Sequence, residues 1–161
     1  MPHPLDPKFS IRLLWWSAAL PLVAPVRENV FVREQGVPVE LEWDGLDAAA
    51  LHAVAADSSG RPIGTARLVD DGHIGRMAVL LAWRRRGVGS ALLGRLVAAA
   101  RERGLDTVHL DAQTHAVAFY ARHGFEPQGG EFMDAGIPHV AMRRYFDPLR
   151  RASVAGDNEK S

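Results

Sequence analysis

The chain has 161 residues, of which 47% are hydrophobic and 24% charged, a composition typical of one globular domain and not of a disordered chain. Its 19 basic residues balance 19 acidic residues, so no overall field attracts nucleic acid or an anionic membrane, and neither is expected as a partner. The chain contains no cysteine, which excludes a disulfide scaffold, a thiolate metal site and a cysteine nucleophile, and is compatible with the cytoplasmic location that we predict.

The N-terminal part of the chain is predicted to begin with a strand from Phe9 to Trp16. The apolar run Leu13 to Val26 follows two basic residues but is too short to span a bilayer. Pro21 and Pro25 lie inside this run and would interrupt the helical core of a signal peptide, so a cleaved signal peptide is the less favoured alternative. Apolar residues at helical spacing then predict a helix from Ala24 to Gln35, ended by the Gly and Pro that follow it.

Beyond this helix, alternating apolar residues between Ser, Asp and Gly turns predict strands, and two stretches at helical spacing predict helices. The order predicts an α/β (α+β) single domain over residues 1–149, with helices on a mixed sheet and a flexible tail at 150–161. The strands are expected at Leu51 to Ala55, Ile63 to Val69, His73 to Leu80, Thr107 to Ala112, Phe125 to Met133 and Ile137 to Tyr145. The first of the two helices is expected to begin at Val88 and to end at a cap at Gly104. The second is expected to be capped by Thr114 and to end at Arg122.

The loop Arg84 to Ser90, between a predicted strand and the amphipathic helix, carries the clearest chemical signal. Gly87 and Gly89 allow backbone N–H groups to approach a bulky anion, and the helix that follows adds partial positive charge at its N-terminus. Three arginines supply further donors, so the loop is suited to a pyrophosphate. The glycine spacing matches neither a dinucleotide-binding fingerprint nor a P-loop. The alternative is a helix that simply starts with a solvated arginine cluster.

Two motifs in this order resemble those of a known family. Arg84-x-x-Gly87-x-Gly89, preceded by Arg76-Met77-Ala78-Val79, is similar to the acyl-CoA motif of the GNAT N-acyltransferase superfamily. Gln113 to Phe125, with Ala116, Phe119-Tyr120 and Gly124-Phe125 in place, is similar to its second signature. The likeness covers roughly residues 9–144.

Three shorter segments, Val30 to Gln35, Asp44 to Asp47 and Gly136 to His139, resemble the ElaA-like branch of this superfamily. Two positions depart from the family pattern. Arg85 stands where the family often has Gly, which crowds the loop, and Gln113 replaces the usual Asn, which alters a contact expected with the pantetheine arm.

The resemblance implies a mostly antiparallel sheet of about seven strands, in which two strands splay apart and hold acyl-CoA. It implies acetyl-CoA as cosubstrate, with the pantetheine arm along Met77 to Val79 and the N–H of Val79 stabilising the oxyanion. The residues implied to contact acetyl-CoA are Met77, Ala78, Val79, Arg84, Arg85, Arg86, Gly87, Val88, Gly89, Ser90, Gln113, Phe119 and Tyr120.

The implied reaction is direct attack of a primary amine on the acetyl thioester, with no covalent enzyme intermediate. Tyr120 is the candidate that protonates the departing thiolate. Glu34, His73, His139 and a water chain all remain candidates for the group that accepts the amine proton. The seven histidines show no metal-ligand spacing such as His-Glu-x-x-His, so we predict no metal.

The acceptor is predicted to be a small cationic amine, because residues 27–47 contain six acidic residues against two basic ones. Glu34, Asp44, Arg67 and His139 are the candidate substrate-binding residues, although a solvated charged loop would give the same composition. Two other functions remain open. Arg27, Asp44, Asp47 and Arg67 also resemble an ion-pair network of acyl-homoserine-lactone synthases, and a non-catalytic CoA-binding regulatory module would carry the same loop. A homodimer is a further possibility.

Overall fold

A computed structural model describes residues 8–147 of the chain. These residues divide into two compact units, the first containing residues 8–70 and 74–96 and the second residues 71–73 and 97–147. The predicted C-terminal tail at 150–161 and the predicted domain boundary at residue 149 lie outside the described residues.

The first unit is built on an antiparallel sheet of four strands in sequence order: β1 (Phe9–Leu14), β2 (Leu51–Asp57), β3 (Pro62–Leu68) and β4 (Ile74–Val79). Strands that follow each other in the chain pair with each other in antiparallel orientation; for example, Leu13 of β1 pairs with Ala53 of β2, and Ala53 pairs with Ala66 of β3. The alternation and turn signals therefore predicted these strands to within a few residues.

Helix α1 (Trp16–Arg27) begins eight residues earlier than predicted and continues directly into a π-helix at Glu28–Glu34. The expectation that Pro21 and Pro25 would interrupt a helix here is wrong, since both lie inside α1. A helix-interior proline costs about 3 kcal/mol, but Ala19, Val23 and Val26 are fully or almost fully buried, and this burial outweighs the cost.

Strand β4 contains a bulge that was not predicted from the sequence. Thr65 pairs with Ala78 but Arg67 pairs with Gly75, so β4 contains one residue more than β3 over this stretch. Arg76 lies at the bulge with a φ of +48°, a left-handed conformation that a non-glycine residue seldom adopts. Strict alternation along β4 would place His73 and Gly75 on the same face as Met77 and Val79, and the bulge interrupts this alternation.

The second unit contains a three-stranded antiparallel sheet with the order β5–β7–β6, formed by β5 (Thr107–Gln113), β6 (Glu126–Asp134) and β7 (Ile137–Tyr145). Helix α3 (Val88–Glu102) is shared by the two units, and α4 (Val117–Arg122) lies between β5 and β6. The cap predicted at Thr114 is wrong, because Thr114 opens a 3₁₀ turn and the N-cap of α4 is Ala116, with no side-chain capping bond.

Three short helical segments were not predicted: α2 (Val39–Glu42) and the 3₁₀ turns Asp47–Ala49 and Leu81–Trp83. The predicted α/β (α+β) class is confirmed, and the seven strands among residues 8–147 lie in two sheets of four and three. Within that range no helix is both long and apolar enough to cross a membrane.

Candidate active site

The outer edge of β4 presents the main-chain groups of Val79. Leu80 N–H donates a hydrogen bond to the Ile63 carbonyl at 2.9 Å, which makes the preceding Val79–Gly64 pair a non-hydrogen-bonded pair. The N–H and C=O of Val79 therefore point away from β3, and β4 is an edge strand of the four-stranded sheet. This orientation is the one that a main-chain donor to an external oxyanion requires.

The neighbouring residue Ala78 lies on the opposite face of β4 and belongs to the core. It is 2% exposed and packs with Val26, Val30 and Phe31 of α1 and the π-helix. Its side chain therefore fixes the position of β4, and only its main chain could contact a bound molecule. Met77 is half-buried next to the bulge.

After β4, the loop places its charges in two different environments. Arg85, Arg86 and Gly87 are exposed, whereas Arg84 is half-buried. The Arg86 guanidinium carbon lies 5.5 Å from the centre of the Trp83 ring. Arg85 has a φ of +63°, a left-handed conformation that explains why glycine suits this position in the motif.

The loop ends at the first turn of α3, which begins with the bond from Ala91 N–H to the Gly87 carbonyl. Gly87 has a φ of +82°, and a Cβ built on it would meet no atom within 4 Å. Val88 is 1% exposed and anchors the helix start in the core, while Gly89 and Ser90 are half-buried in the first turn. Exposed cations beside a helix N-terminus and an open glycine fit the pyrophosphate of acyl-CoA.

Arg84 makes contacts that the sequence did not predict. Its Nε donates to the Val79 carbonyl oxygen at 3.0 Å. Its two terminal nitrogens lie 2.7 and 2.8 Å from the two carboxylate oxygens of Glu34, at the end of the π-helix. Glu34 and Arg84 thus form a bidentate ion pair, so Glu34 carries a specific partner and is not an isolated carboxylate.

A network of six charged side chains, four of them buried, lies elsewhere in the first unit. Arg27 is 0% exposed and contacts Glu42 and Asp47, each at 2.6 Å. Arg67, 2% exposed, contacts Asp47 at 3.0 Å and forms a two-pronged ion pair with Asp44. The structure therefore gives Arg67 and Asp44 a mutual contact, and a diffusing substrate would not reach the Arg67 guanidinium in this conformation.

Arg76 completes this network from the bulge of β4, at 3.3 Å from Asp44 and 3.6 Å from Glu42. Burial alone would raise the pKa of Asp44, but the hydrogen bonds from Arg67 and Leu46 N–H and the charges of Arg67 and Arg76 together outweigh it and hold that pKa well below its ordinary value. Three guanidinium groups thus compensate three carboxylates. Arg76 was not predicted as a member of this network, although a charged residue within an apolar strand was the available signal.

In the second unit, Tyr120 of α4 lies in an aromatic cluster. Its ring meets Phe119 and Phe125 edge to face, at centroid distances of 5.0 and 6.0 Å. Burial raises the pKa of Tyr120 to about 12, so its phenol keeps its proton at any physiological pH. This is the protonation state that a general acid needs.

His139 and Gln113 face each other across β5 and β7 in the same unit. His139 is 9% exposed, stacks on Phe132, and its Nδ1 lies 2.7 Å from the Ile137 carbonyl oxygen. Because a carbonyl can only accept, Nδ1 carries the hydrogen, and the neutral ring then has its lone pair on Nε2. The Gln113 side-chain oxygen lies 2.8 Å from Nε2 of His115.

His73 pairs with His109 through an isolated parallel bridge, and their rings lie 5.1 Å apart. Asp111 and Asp71 lie 3.8 and 3.6 Å from Nε2 of His73 and His109, respectively. Over residues 8–147 no group of three or more His, Asp or Glu side chains is arranged to hold a metal ion, and the prediction of no metal stays a prediction.

Comparison with known proteins gives consistent matches over most of the chain. Residues 27–146 match the family model for the acetyltransferase (GNAT) domain. The uncharacterized N-acetyltransferase YjcF of Bacillus subtilis is 42% identical over 123 residues, which cover 74% of this chain and 87% of YjcF.

Two solved structures have the same fold. An acyl-CoA N-acyltransferase from Pseudomonas aeruginosa is 33% identical, with a TM-score of 0.76, and Escherichia coli ElaA is 29% identical, also with a TM-score of 0.76. Each alignment covers 85% of this chain and 99% of the other. The range matched by the family model contains both motifs identified in the sequence.

Proposed function

The chain belongs to the GNAT acetyltransferase family and is an acyltransferase, and we propose that it transfers the acetyl group of acetyl-CoA directly to a primary amine. The predicted resemblance to this superfamily and to its ElaA-like branch is confirmed. The observation that carries the proposal is the edge of β4, where Val79 directs its N–H outward, next to an exposed Arg-Gly loop at the start of α3.

We propose that the loop binds the pyrophosphate of acetyl-CoA. Arg85 and Arg86 supply exposed guanidinium groups, and the first turn of α3 supplies main-chain donors and the positive end of the helix dipole. The pantetheine arm would then bond to the outer edge of β4. Val88 and Ala78 take part through their main chains, since their side chains are buried.

Catalysis is proposed to proceed in one acyl transfer. The neutral amine nitrogen bonds to the thioester carbon, and the developing oxyanion accepts a hydrogen bond from Val79 N–H. When the C–S bond breaks, the thiolate takes the phenolic proton of Tyr120, whose raised pKa keeps that proton available. The proton that leaves the amine passes to His139 or to water. The tautomer that leaves a lone pair on His139 Nε2 supports this histidine over Glu34, whose two oxygens are engaged by Arg84.

The proposal of a small cationic acceptor has weaker support than the sequence suggested. Glu42, Asp44 and Asp47 are neutralised by buried arginines, and Glu34 pairs with Arg84. Glu40 is exposed and remains a candidate for attracting a cation. A primary amine of unspecified charge is therefore the acceptor class that we propose, and a cytoplasmic location and a homodimer remain predictions.

The experiment that tests the proposal is release of CoA thiol from acetyl-CoA in the presence of amines, amino sugars, polyamines and peptides. Turnover with any primary amine, with an acetylated product of the expected mass, supports it. Binding of acetyl-CoA without turnover across the panel would favour a regulatory module. Turnover that needs S-adenosylmethionine as the acceptor would favour the acyl-homoserine-lactone synthase alternative.

A further inference from the structure

The side chain of Arg84 connects its own loop to β4 and to the π-helix of the first unit. Its Nε bonds to the Val79 carbonyl at the edge of β4, and its two terminal nitrogens hold the Glu34 carboxylate at the end of the π-helix. We propose that Arg84 is a positioning residue that fixes the main chain of Val79 for catalysis, with Glu34 as its partner, and that it is not a phosphate ligand. This inference rests on the proposed function.

The position of Val79 explains why such a contact is needed. Val79 is the last residue of β4 and is followed by the 3₁₀ turn Leu81–Trp83, so its ladder ends there. Its N–H and C=O both point away from β3, so on the outer side of β4 neither group bonds to a neighbouring strand of this sheet. The bond from Arg84 to the Val79 carbonyl holds the last residue of β4 in position from this outer side, and the N–H of Val79 is kept in place with it.

The pairing with Glu34 holds the guanidinium in place. An Arg–carboxylate pair with two parallel contacts fixes both the position and the plane of the guanidinium. Here the contacts of 2.7 and 2.8 Å leave Nε directed at Val79, 3.0 Å away. A lysine at this position keeps the positive charge but cannot form the two-pronged pair and bond to the carbonyl with a fixed geometry.

The other two arginines of the motif provide the contrast. Arg85 and Arg86 are exposed, and both belong to the part of the loop that precedes the start of α3. Arg84 is half-buried, and its contacts are directed to Val79 and Glu34. The motif therefore divides into one arginine that supports β4 and two that face the anion.

The test compares two donors, acetyl-CoA and acetyl-pantetheine, which has the same thioester but no pyrophosphate. We expect Arg84→Lys to lower kcat about 10-fold or more with both donors, because loss of one oxyanion donor costs on the order of 10²–10³-fold and a misdirected donor costs part of that. The KM for acetyl-CoA should change little. The matched variants Arg85→Ala and Arg86→Ala should raise KM for acetyl-CoA and leave the reaction with acetyl-pantetheine unchanged.

Glu34→Gln tests the second half of the inference. It keeps the shape of the side chain but removes the charge, so kcat should fall with both donors, and Arg84→Lys combined with Glu34→Gln should be no worse than the more severe single variant. If the Arg84–Glu34 pair only stabilised the fold, the variants would lower the urea midpoint of unfolding, and kcat and KM would change together. The backbone carbonyl chemical shift of Val79 should move in both single variants.

The outcomes separate the two proposals. If the wild type turns over and Arg84→Lys loses activity with acetyl-CoA but not with acetyl-pantetheine, Arg84 is a phosphate ligand and the inference is overturned. An unchanged kcat with both donors would also overturn it. If the wild type shows no turnover with any amine, the proposed function fails, and the inference about catalysis fails with it.

Discussion

The Arg27 guanidinium lies 2.6 Å from the Asp47 carboxylate, and both side chains are almost completely buried. The same carboxylate oxygen of Asp47 also accepts a bond from Arg67 at 3.0 Å. Asp47 thus joins α1 to β3, and the acidic segment that suggested a substrate vestibule forms part of the scaffold of the first unit.

We expect Asp47→Asn to destabilise the protein by about 3–5 kcal/mol, the typical cost of breaking a buried ion pair and leaving its partner charge uncompensated. Urea unfolding at neutral pH measures this cost. The exposed Glu40→Gln is the matched control from the same segment and should leave the urea midpoint unchanged. If Asp47→Asn unfolds at the wild-type midpoint but raises KM for the amine, the network belongs to the acceptor site after all.

Gly87 should be essential for binding acetyl-CoA. Its φ of +82° is unfavourable for a β-branched residue, and its open side faces the proposed pyrophosphate site. We expect Gly87→Val to abolish the thermal stabilisation that CoA gives the wild type. Gly104, just past the end of α3, also has a φ of +82° and no atom within 4 Å of a built Cβ. Gly104→Val therefore carries the same backbone strain and should retain CoA protection.

Equal CoA protection of Gly87→Val and the wild type would place the phosphate site elsewhere. Loss of protection in both glycine variants would instead mean that backbone strain alone disturbs the helix, because Gly104 lies at its opposite end.

The sequence predicted the elements whose signals are local. Strands β2 to β4, helix α3 and the β6–β7 hairpin follow from alternation, helical spacing and turn residues, and the Arg-Gly loop follows from its own motif. The start of α1 was missed because the rule against proline in helices is local, whereas the burial of Val23 and Val26 that overrides it is not.

The contacts of the charged residues could not be predicted for a related reason. Arg67 and Asp44 are 23 positions apart, and Arg84 and Glu34 are 50 apart, so neither pairing leaves a periodic signal. The bulge at Arg76 could not be predicted from the sequence either, because a residue with a positive φ is usually glycine and here it is arginine. The Arg67–Asp44 pair, the Arg84–Glu34 pair and the bulge at Arg76 affect the roles assigned to the site residues more than any helix boundary does.

Tyr120→Phe should lower kcat and leave the affinity for acetyl-CoA unchanged, since the aromatic contacts with Phe119 and Phe125 remain and only the hydroxyl is lost. General acid catalysis contributes about 10²–10⁴-fold, and less where water substitutes. The measurement is single-turnover acetyl transfer, which isolates the chemical step. An unchanged single-turnover rate would remove Tyr120 from the mechanism.

The last expectation concerns the pH dependence of stability and the buried His52. This residue is 0% exposed, its ring lies 4.9 Å from that of Trp16, and its Nε2 lies 2.9 Å from the Asp47 carbonyl oxygen. Burial lowers the pKa of His52, and the hydrogen bond to Asp47 and the charge of Asp47 only partly oppose this, while Arg27 and Arg67 add to it. The folded protein therefore keeps His52 neutral at a pH where the unfolded chain has already bound a proton.

The sign of the effect follows from this difference in bound protons. The stability that neutral His52 contributes is fully present above about pH 6.5, the ordinary histidine pKa, and is lost as the pH falls below it, by at most about 1.4 kcal/mol per pH unit for one proton. We expect the urea midpoint to fall from pH 7 to pH 5, and His52→Gln, which cannot titrate, to show a flatter profile. The slope should not vanish, because burial also lowers the pKa of His109 and His123. The exposed His115→Gln serves as the control, with the wild-type slope. If His52→Gln and His115→Gln give the same slope, His52 does not contribute to the acid sensitivity of the fold.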